Sequence, residues 1–182
     1  DPAVPPPLAI EKADEGPYQY QVMTMANGMQ VITLEDHSCP VAAMQLWYRV
    51  GSANEKPDRR GFAHMFEHMA FKGTKTLGTK DIEAELKAIA REDSIFMELR
   101  AERNKGLLAD SARLEQLEDA YNDAREASYQ LVVPNEFGNV VEREGGVGLN
   151  AFTAYDQTAY FFSLPSNKVE LWMALESERF LN

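Results

Sequence analysis

The stretch Gly61-Phe62-Ala63-His64-Met65-Phe66-Glu67-His68-Met69-Ala70-Phe71-Lys72-Gly73-Thr74 decides the reading of this chain. His64 and His68 are four residues apart, so on a helix both imidazoles leave one face about a turn apart. Two ring nitrogens placed in this way reach a single ion at the ~2.0–2.1 Å usual for zinc. Glu67, one residue before the second histidine, is placed to take a proton from water that the ion has made acidic. A nucleophile and a proton carrier are what hydrolysis of a peptide bond requires. The plainer alternative makes His64 and His68 two core histidines that share Glu67 as a partner. Two of the chain's three histidines fall on this one turn, which favours the metal reading. His37, between two strands, reads as a surface residue, and the lone Cys39 as a small core residue.

Working outward, Phe62, Met65, Phe66, Met69 and Phe71 spread around most of the helix circumference. That pattern predicts a buried helix over roughly 59–71, capped by Asp58 and stopped by Gly73. Upstream, Tyr18 to Met25 reads as a strand, Asn27-Gly28 as a hairpin turn and Met29 to Leu34 as the returning strand. A third strand, Val41 to Val50, alternates Ala43, Gln45, Trp47 and Arg49 with Ala42, Met44, Leu46 and Tyr48, and the three strands predict one antiparallel meander. Downstream, residues 82–133 are dense in Glu, Lys, Arg, Ala and Leu and break at Asn104-Lys105-Gly106. Two antiparallel helices follow. The first carries a stripe of Ile82, Leu86, Ile89, Ala90, Phe96, Met97 and Leu99, the second one of Leu107, Leu114, Leu117, Ala120, Tyr121 and Ala124. A short helix, Glu136 to Arg143, leads to strands over 149–153 and 158–164. Pro165-Ser166-Asn167 then opens a last helix with Val169, Trp172, Met173 and Phe180 facing inward. The elements predict an α+β fold, an antiparallel or mixed sheet packed against helices, with a helical hairpin inserted at about 82–133.

Composition narrows the function. The chain has 182 residues and a net charge of −11, from 18 Lys and Arg against 29 Asp and Glu. A field of that sign repels phosphate backbones, so nucleic acid is not an expected partner. No apolar run reaches the ~18 residues that span a bilayer. One cysteine excludes an intrachain disulfide. Residues 1–17 read as an extended proline-rich segment and 18–182 as one domain. The opening Asp1-Pro2-Ala3-Val4-Pro5-Pro6-Pro7 looks like chain that follows a removed signal peptide, which points to a soluble exported protein, periplasmic or secreted.

Residues 61–74 closely resemble the pitrilysin/insulinase family of inverted-motif zinc peptidases, which includes mitochondrial processing peptidases. Tyr48-Arg49-Val50-Gly51-Ser52, Gly146, Leu149-Asn150-Ala151-Phe152-Thr153 and Asp156-Gln157-Thr158 are similar to that family as well. The resemblance implies a half-shell of the pitrilysin-like fold, His64 and His68 as zinc ligands and Glu67 as catalytic base. It also implies that Asn150, Ala151 and Phe152 lie on an edge strand that pairs with an extended peptide substrate. The family takes its third ligand from a downstream Glu whose counterpart is expected beyond Asn182, and Glu176 and Glu178 are expected at the surface. Its members build a chamber from two half-shells, so the implied partners are further C-terminal chain or a second half-shell subunit. The alternative is a non-catalytic structural subunit of such an assembly. An intact His64, Glu67 and His68 speaks against that alternative, since a scaffold has no use for the carboxylate beside two histidines.

Overall fold

A computed structural model describes residues 9–15 and 18–181. The chain divides into two compact units, residues 1–40 and 41–182, each with its own three-stranded antiparallel sheet. In the first unit β1 (Ala9–Glu15), β2 (Tyr18–Thr24) and β3 (Gln30–Leu34) run in that order. The β2–β3 turn is the expected one. Gly28 takes φ +85°, which suits glycine, and Asn27 Oδ1 accepts the Met29 amide at 3.0 Å. Residues 9–15 of the segment expected to be extended form a strand paired with β2. One expectation fails here: Cys39 is exposed and not a core residue. The export reading rests on residues 1–7, which lie outside the described residues.

The single meander is also corrected. β4 (Val41–Tyr48) does not pair with β3; it joins β6 (Thr158–Pro165), which in turn pairs with β5 (Val147–Thr153), giving the order β4-β6-β5. Sequence proximity suggested hairpin pairing, but the 158–165 run is apolar on successive residues and needs neighbours on both sides. Along β4 the alternation holds, with Ala42, Met44, Leu46 and Tyr48 turned inward and Ala43, Gln45 and Trp47 outward. Phe162 and Leu164 of β6 form the core with Phe137 and Val141 of α4 (Glu136–Arg143) and Leu175 of α5 (Val169–Leu181).

At the end of α5, Arg179 and Glu176 make a buried pair. Their side chains are 1% and 6% exposed, and two guanidinium nitrogens meet the carboxylate at 2.7 and 2.9 Å. The guanidinium lies 4.6–5.3 Å from the rings of Phe71, Phe137, Tyr160 and Phe180. This cation in an aromatic cage ties α5 to β6, α4 and the segment after the metal-motif helix. Burial raises the Glu176 carboxyl above its ordinary value, against the pull of Arg179. The surface assignment of Glu176 is therefore wrong. Glu178 is half-buried and accepts hydrogen bonds from the Thr74 and Thr76 hydroxyls. On α5 Trp172 packs against the core and Phe180 against Tyr48 and Tyr160 as expected, with Leu175 and Glu176 buried beside them, whereas Met173 is exposed.

Residues 82–129 form the expected pair of helices, α2 (Ile82–Arg103) and α3 (Ser111–Tyr129), with the turn at Asn104-Lys105-Gly106. Asp81 and Asp110 cap their first turns. Leu99, Leu117 and Ala124 are buried in the seam, but Leu86, Ile89, Phe96 and Met97 are exposed. The seam of α2 instead admits glutamates that find partners: Glu92 accepts the Ser128 hydroxyl at 2.6 Å, and Glu102 meets Lys105 and the Asp110 amide. Partnered carboxylates thus share the seam with the apolar residues, among which Phe96 meets Tyr121 of α3 with ring centres 5.6 Å apart.

Candidate functional site

The helix carrying the motif, α1, runs from Phe62 to Met69, shorter than expected. Asp58 does not cap it. Glu55, from the preceding loop, does so with both carboxylate oxygens: Oε2 accepts the Gly61 amide at 2.7 Å and Oε1 the Ala63 amide at 2.8 Å. A carboxylate there satisfies amides that have no partner inside the helix and meets the positive end of its dipole. The Ala63 and Gly61 amides, in that order, hold the Glu55 carboxyl below its ordinary value. Gly51 seats the same loop. A side chain there would run into the Ala154 carbonyl and the backbone of Tyr155 and Gln157, so only glycine permits the approach. Ser52 and Ala53 donate their amides to the carbonyls of Ala154 and Tyr155 at 3.1 and 2.7 Å.

The expected burial of α1 is half wrong. Phe62, Met65, Phe66 and Met69 are 44–60% exposed, and Glu67 is the buried residue at 7%. An eight-residue helix offers one stripe to a sheet, and here it is Ala63, Glu67 and Ala70, the small residues plus the carboxylate. The apolar residues occupy the other faces. On the same helix His64 Nε2 and His68 Nε2 stand 3.0 Å apart. Two ligands of one tetrahedral zinc at ~2.0–2.1 Å would be about 3.3 Å apart, so the pair fits a single ion with little adjustment. Among the described residues no third His, Cys, Asp or Glu completes a cluster of three.

Glu67 is held from the sheet. Thr153 Oγ1 donates to Glu67 Oε2 at 2.6 Å, and Thr153 pairs with Thr158, whose own hydroxyl donates to the Val50 carbonyl at 2.8 Å. Beside this group lies an open groove of about 780 Å³ lined by His64, Arg60, Glu55, Ser52, Thr153 and Tyr155 among others. β5 is an edge strand of its sheet among the described residues. Asn150 is exposed, and its Oδ1 accepts the Ala151 amide at 2.9 Å, so that amide already has a partner on its own strand. Phe152 turns to the helix-free face, where it meets Trp47 edge-on with ring centres 5.6 Å apart. Thus His64 and His68 come together at the surface of α1, Glu67 turns from the same helix to Thr153 of β5, and Phe152 points away.

Sequence reading missed Glu55 and the role of Thr153. Glu55 is separated from the helix by a loop whose path no pattern gives. Thr153 was discoverable: with Leu149 facing the core, strand parity sends Ala151 and Thr153 to the same helix-covered side.

Two histidines and one carboxylate thus lie on a helix set against an edge strand, among the described residues, of an antiparallel sheet. Residues 30–99, α1 included, match the insulinase family, peptidase family M16. A zinc protease of Rickettsia bellii is 40% identical over 70 residues, 38% of this chain and 17% of that protein. The mitochondrial-processing peptidase subunit beta of Bos taurus is 39% identical over 66 residues, 36% of this chain and 13% of that one. Crystalline pitrilysin superposes with a TM-score of 0.53 over 94% of this chain and 12% of its own, at 18% identity, a likeness of fold. The chain therefore spans less than a fifth of the length of these relatives.

Proposed function

We propose that this chain carries the zinc-binding part of a peptidase that cleaves extended oligopeptides or unfolded segments. The observation that carries the reading is the 3.0 Å approach of the two histidine Nε2 atoms beside a buried glutamate. The family match and relatives named as zinc proteases support it. His64 and His68, whose Nε2 atoms approach each other, would hold the ion. Bound zinc supplies Lewis acidity, which makes water nucleophilic near neutral pH and polarises the scissile carbonyl. A catalytic zinc takes three protein ligands, so one more donor joins from outside the described residues, either further chain or a second subunit. Glu67 takes the proton from water at Oε1, its oxygen not engaged by Thr153, and returns it to the leaving amine. The edge of β5 at Asn150, Ala151 and Phe152 lines up the substrate backbone, with Asn150 releasing the Ala151 amide to a substrate carbonyl.

The test is made in the full-length protein. Glu67→Gln keeps the shape of the side chain and cannot take a proton, so it should retain zinc and lose about 10²–10⁴-fold in kcat. His68→Ala should lose the metal itself, read by elemental analysis. Full activity of either variant would end the peptidase reading.

A further inference from the structure

We propose that Thr153 is a positioning residue for the general base: its hydroxyl fixes the Glu67 carboxylate so that Oε1 alone faces the reacting proton. The inference rests on the peptidase reading of the same site and goes further by naming what orients its base. The bookkeeping of protons carries it. A carboxylate only accepts, so the 2.6 Å contact between Thr153 Oγ1 and Glu67 Oε2 must use the threonine's single proton. A second hydroxyl, Thr158 Oγ1, lies 3.5 Å from Thr153 Oγ1, and its proton is already given to the Val50 carbonyl at 2.8 Å. Neither donor is left with a second choice, and the direction of the Thr153–Glu67 bond is determined.

The placement is rigid for reasons that lie outside the bond. Thr153 faces Thr158 in the last pair of the β5–β6 ladder. The turn that follows is closed by the Ala154 amide on the Gln157 carbonyl at 2.8 Å and gripped by the Ser52 and Ala53 amides. β-Branching leaves the threonine few χ1 positions on this strand. Glu67 is 7% exposed; Ala63 and Ala70, the partly buried residues on its side of the helix, carry no polar side-chain group, and Tyr160 of β6 is a further group that its charge reaches. Without the hydroxyl, the carboxylate would swing about χ3 and present either oxygen.

The experiment compares Thr153→Val, which keeps the shape and loses the hydroxyl, with Thr153→Ser, which keeps the hydroxyl, in the zinc-loaded full-length protein. Glu67→Gln serves as reference. Thr153→Val should lower kcat about 10- to 100-fold, the scale of lost outer-shell partners, with KM, zinc content and Tm close to wild type. Thr153→Ser should restore kcat to within a few-fold. Crystals of Thr153→Val should show the Glu67 carboxylate in more than one orientation, a readout that needs no activity. A Thr153→Val enzyme with wild-type kcat, a serine variant as slow as the valine one, or a kcat loss matched by zinc loss would overturn the inference. Should Glu67→Gln stay active, the peptidase reading fails and this inference with it; should Glu67→Gln be dead and Thr153→Val normal, only the positioning role fails.

Discussion

At the scale of single residues, Glu55 decides more than its place in a loop suggests, because it is the cap that starts the metal-motif helix. Its two amide partners are made only in the folded state, and they hold the carboxyl below its ordinary value of 4.5. A depressed carboxyl contributes stability that is present above the unfolded value and lost as pH falls through the folded one. Thermal unfolding followed from pH 6 downward should therefore show a stability loss below about 4.5, and Glu55→Gln should flatten that part of the curve. An unchanged slope in the glutamine variant would show that the cap does not couple to folding. The approach of His64 to His68 was legible in the sequence because its geometry is local: a four-residue spacing on one helix fixes where two imidazoles go. Glu55 was not legible, since its contact with Ala63 depends on a loop path. Asp58 was the cap that local spacing suggested, and the longer-range carboxylate took its place.

At the scale of elements, the arrangement depends on the Arg179–Glu176 pair, which joins α5 to the ring of aromatic residues around it. Removing one member strands the other charge in a buried site, a loss of roughly 3–5 kcal/mol. Arg179→Met should accordingly lower Tm by on the order of 10 °C, and adding Glu176→Gln should recover part of the loss, both read by calorimetry. If the single variant melts with wild type, the pair is dispensable. Strands and helices were mostly found in the sequence, since strict alternation in 41–48 and helix-rich composition in 82–129 are periodic signals. Pairing was not. β4 lies nearer in sequence to β3, yet pairs with β6 more than a hundred residues away, and no local period encodes that choice. Faces were misjudged on much of α1 and α2 and at Met173 of α5 for a common reason. Each has apolar residues on more than one side, and the side turned inward carries a buried carboxylate with a partner: Glu67 with Thr153, Glu102 with Lys105, Glu176 with Arg179.

At the scale of the molecule, the second unit consists of a sheet with helices on one side and the α2–α3 hairpin, and the hairpin leaves and returns at one point. Thr79 bridges Val132 antiparallel, the Lys80 amide donates to the Leu131 carbonyl at 2.9 Å, and the Val133 amide to the Gly78 carbonyl at 2.8 Å. The two helices pack chiefly on each other, cross-linked by Arg103 with Glu118 and Arg113 with Glu98 at 2.8 Å each. Such exposed ion pairs contribute little to the body of the fold. An excursion whose ends already meet at strand spacing can be replaced by a tight turn without moving its flanks. We therefore expect that excising 82–129 and joining Asp81 to Gln130 through Asn-Gly leaves a folded protein. Shortening the connection lowers loop-closure entropy by an amount that grows only logarithmically with length, so Tm should change by no more than a few degrees either way. His64 and His68 lie outside the excised span, and zinc content should be that of the parent. The measurement is a thermal melt with elemental zinc analysis on the purified full-length deletion variant. Insoluble protein, or soluble protein without zinc, would mean that the hairpin is part of the body that positions α1 and not an addition to it.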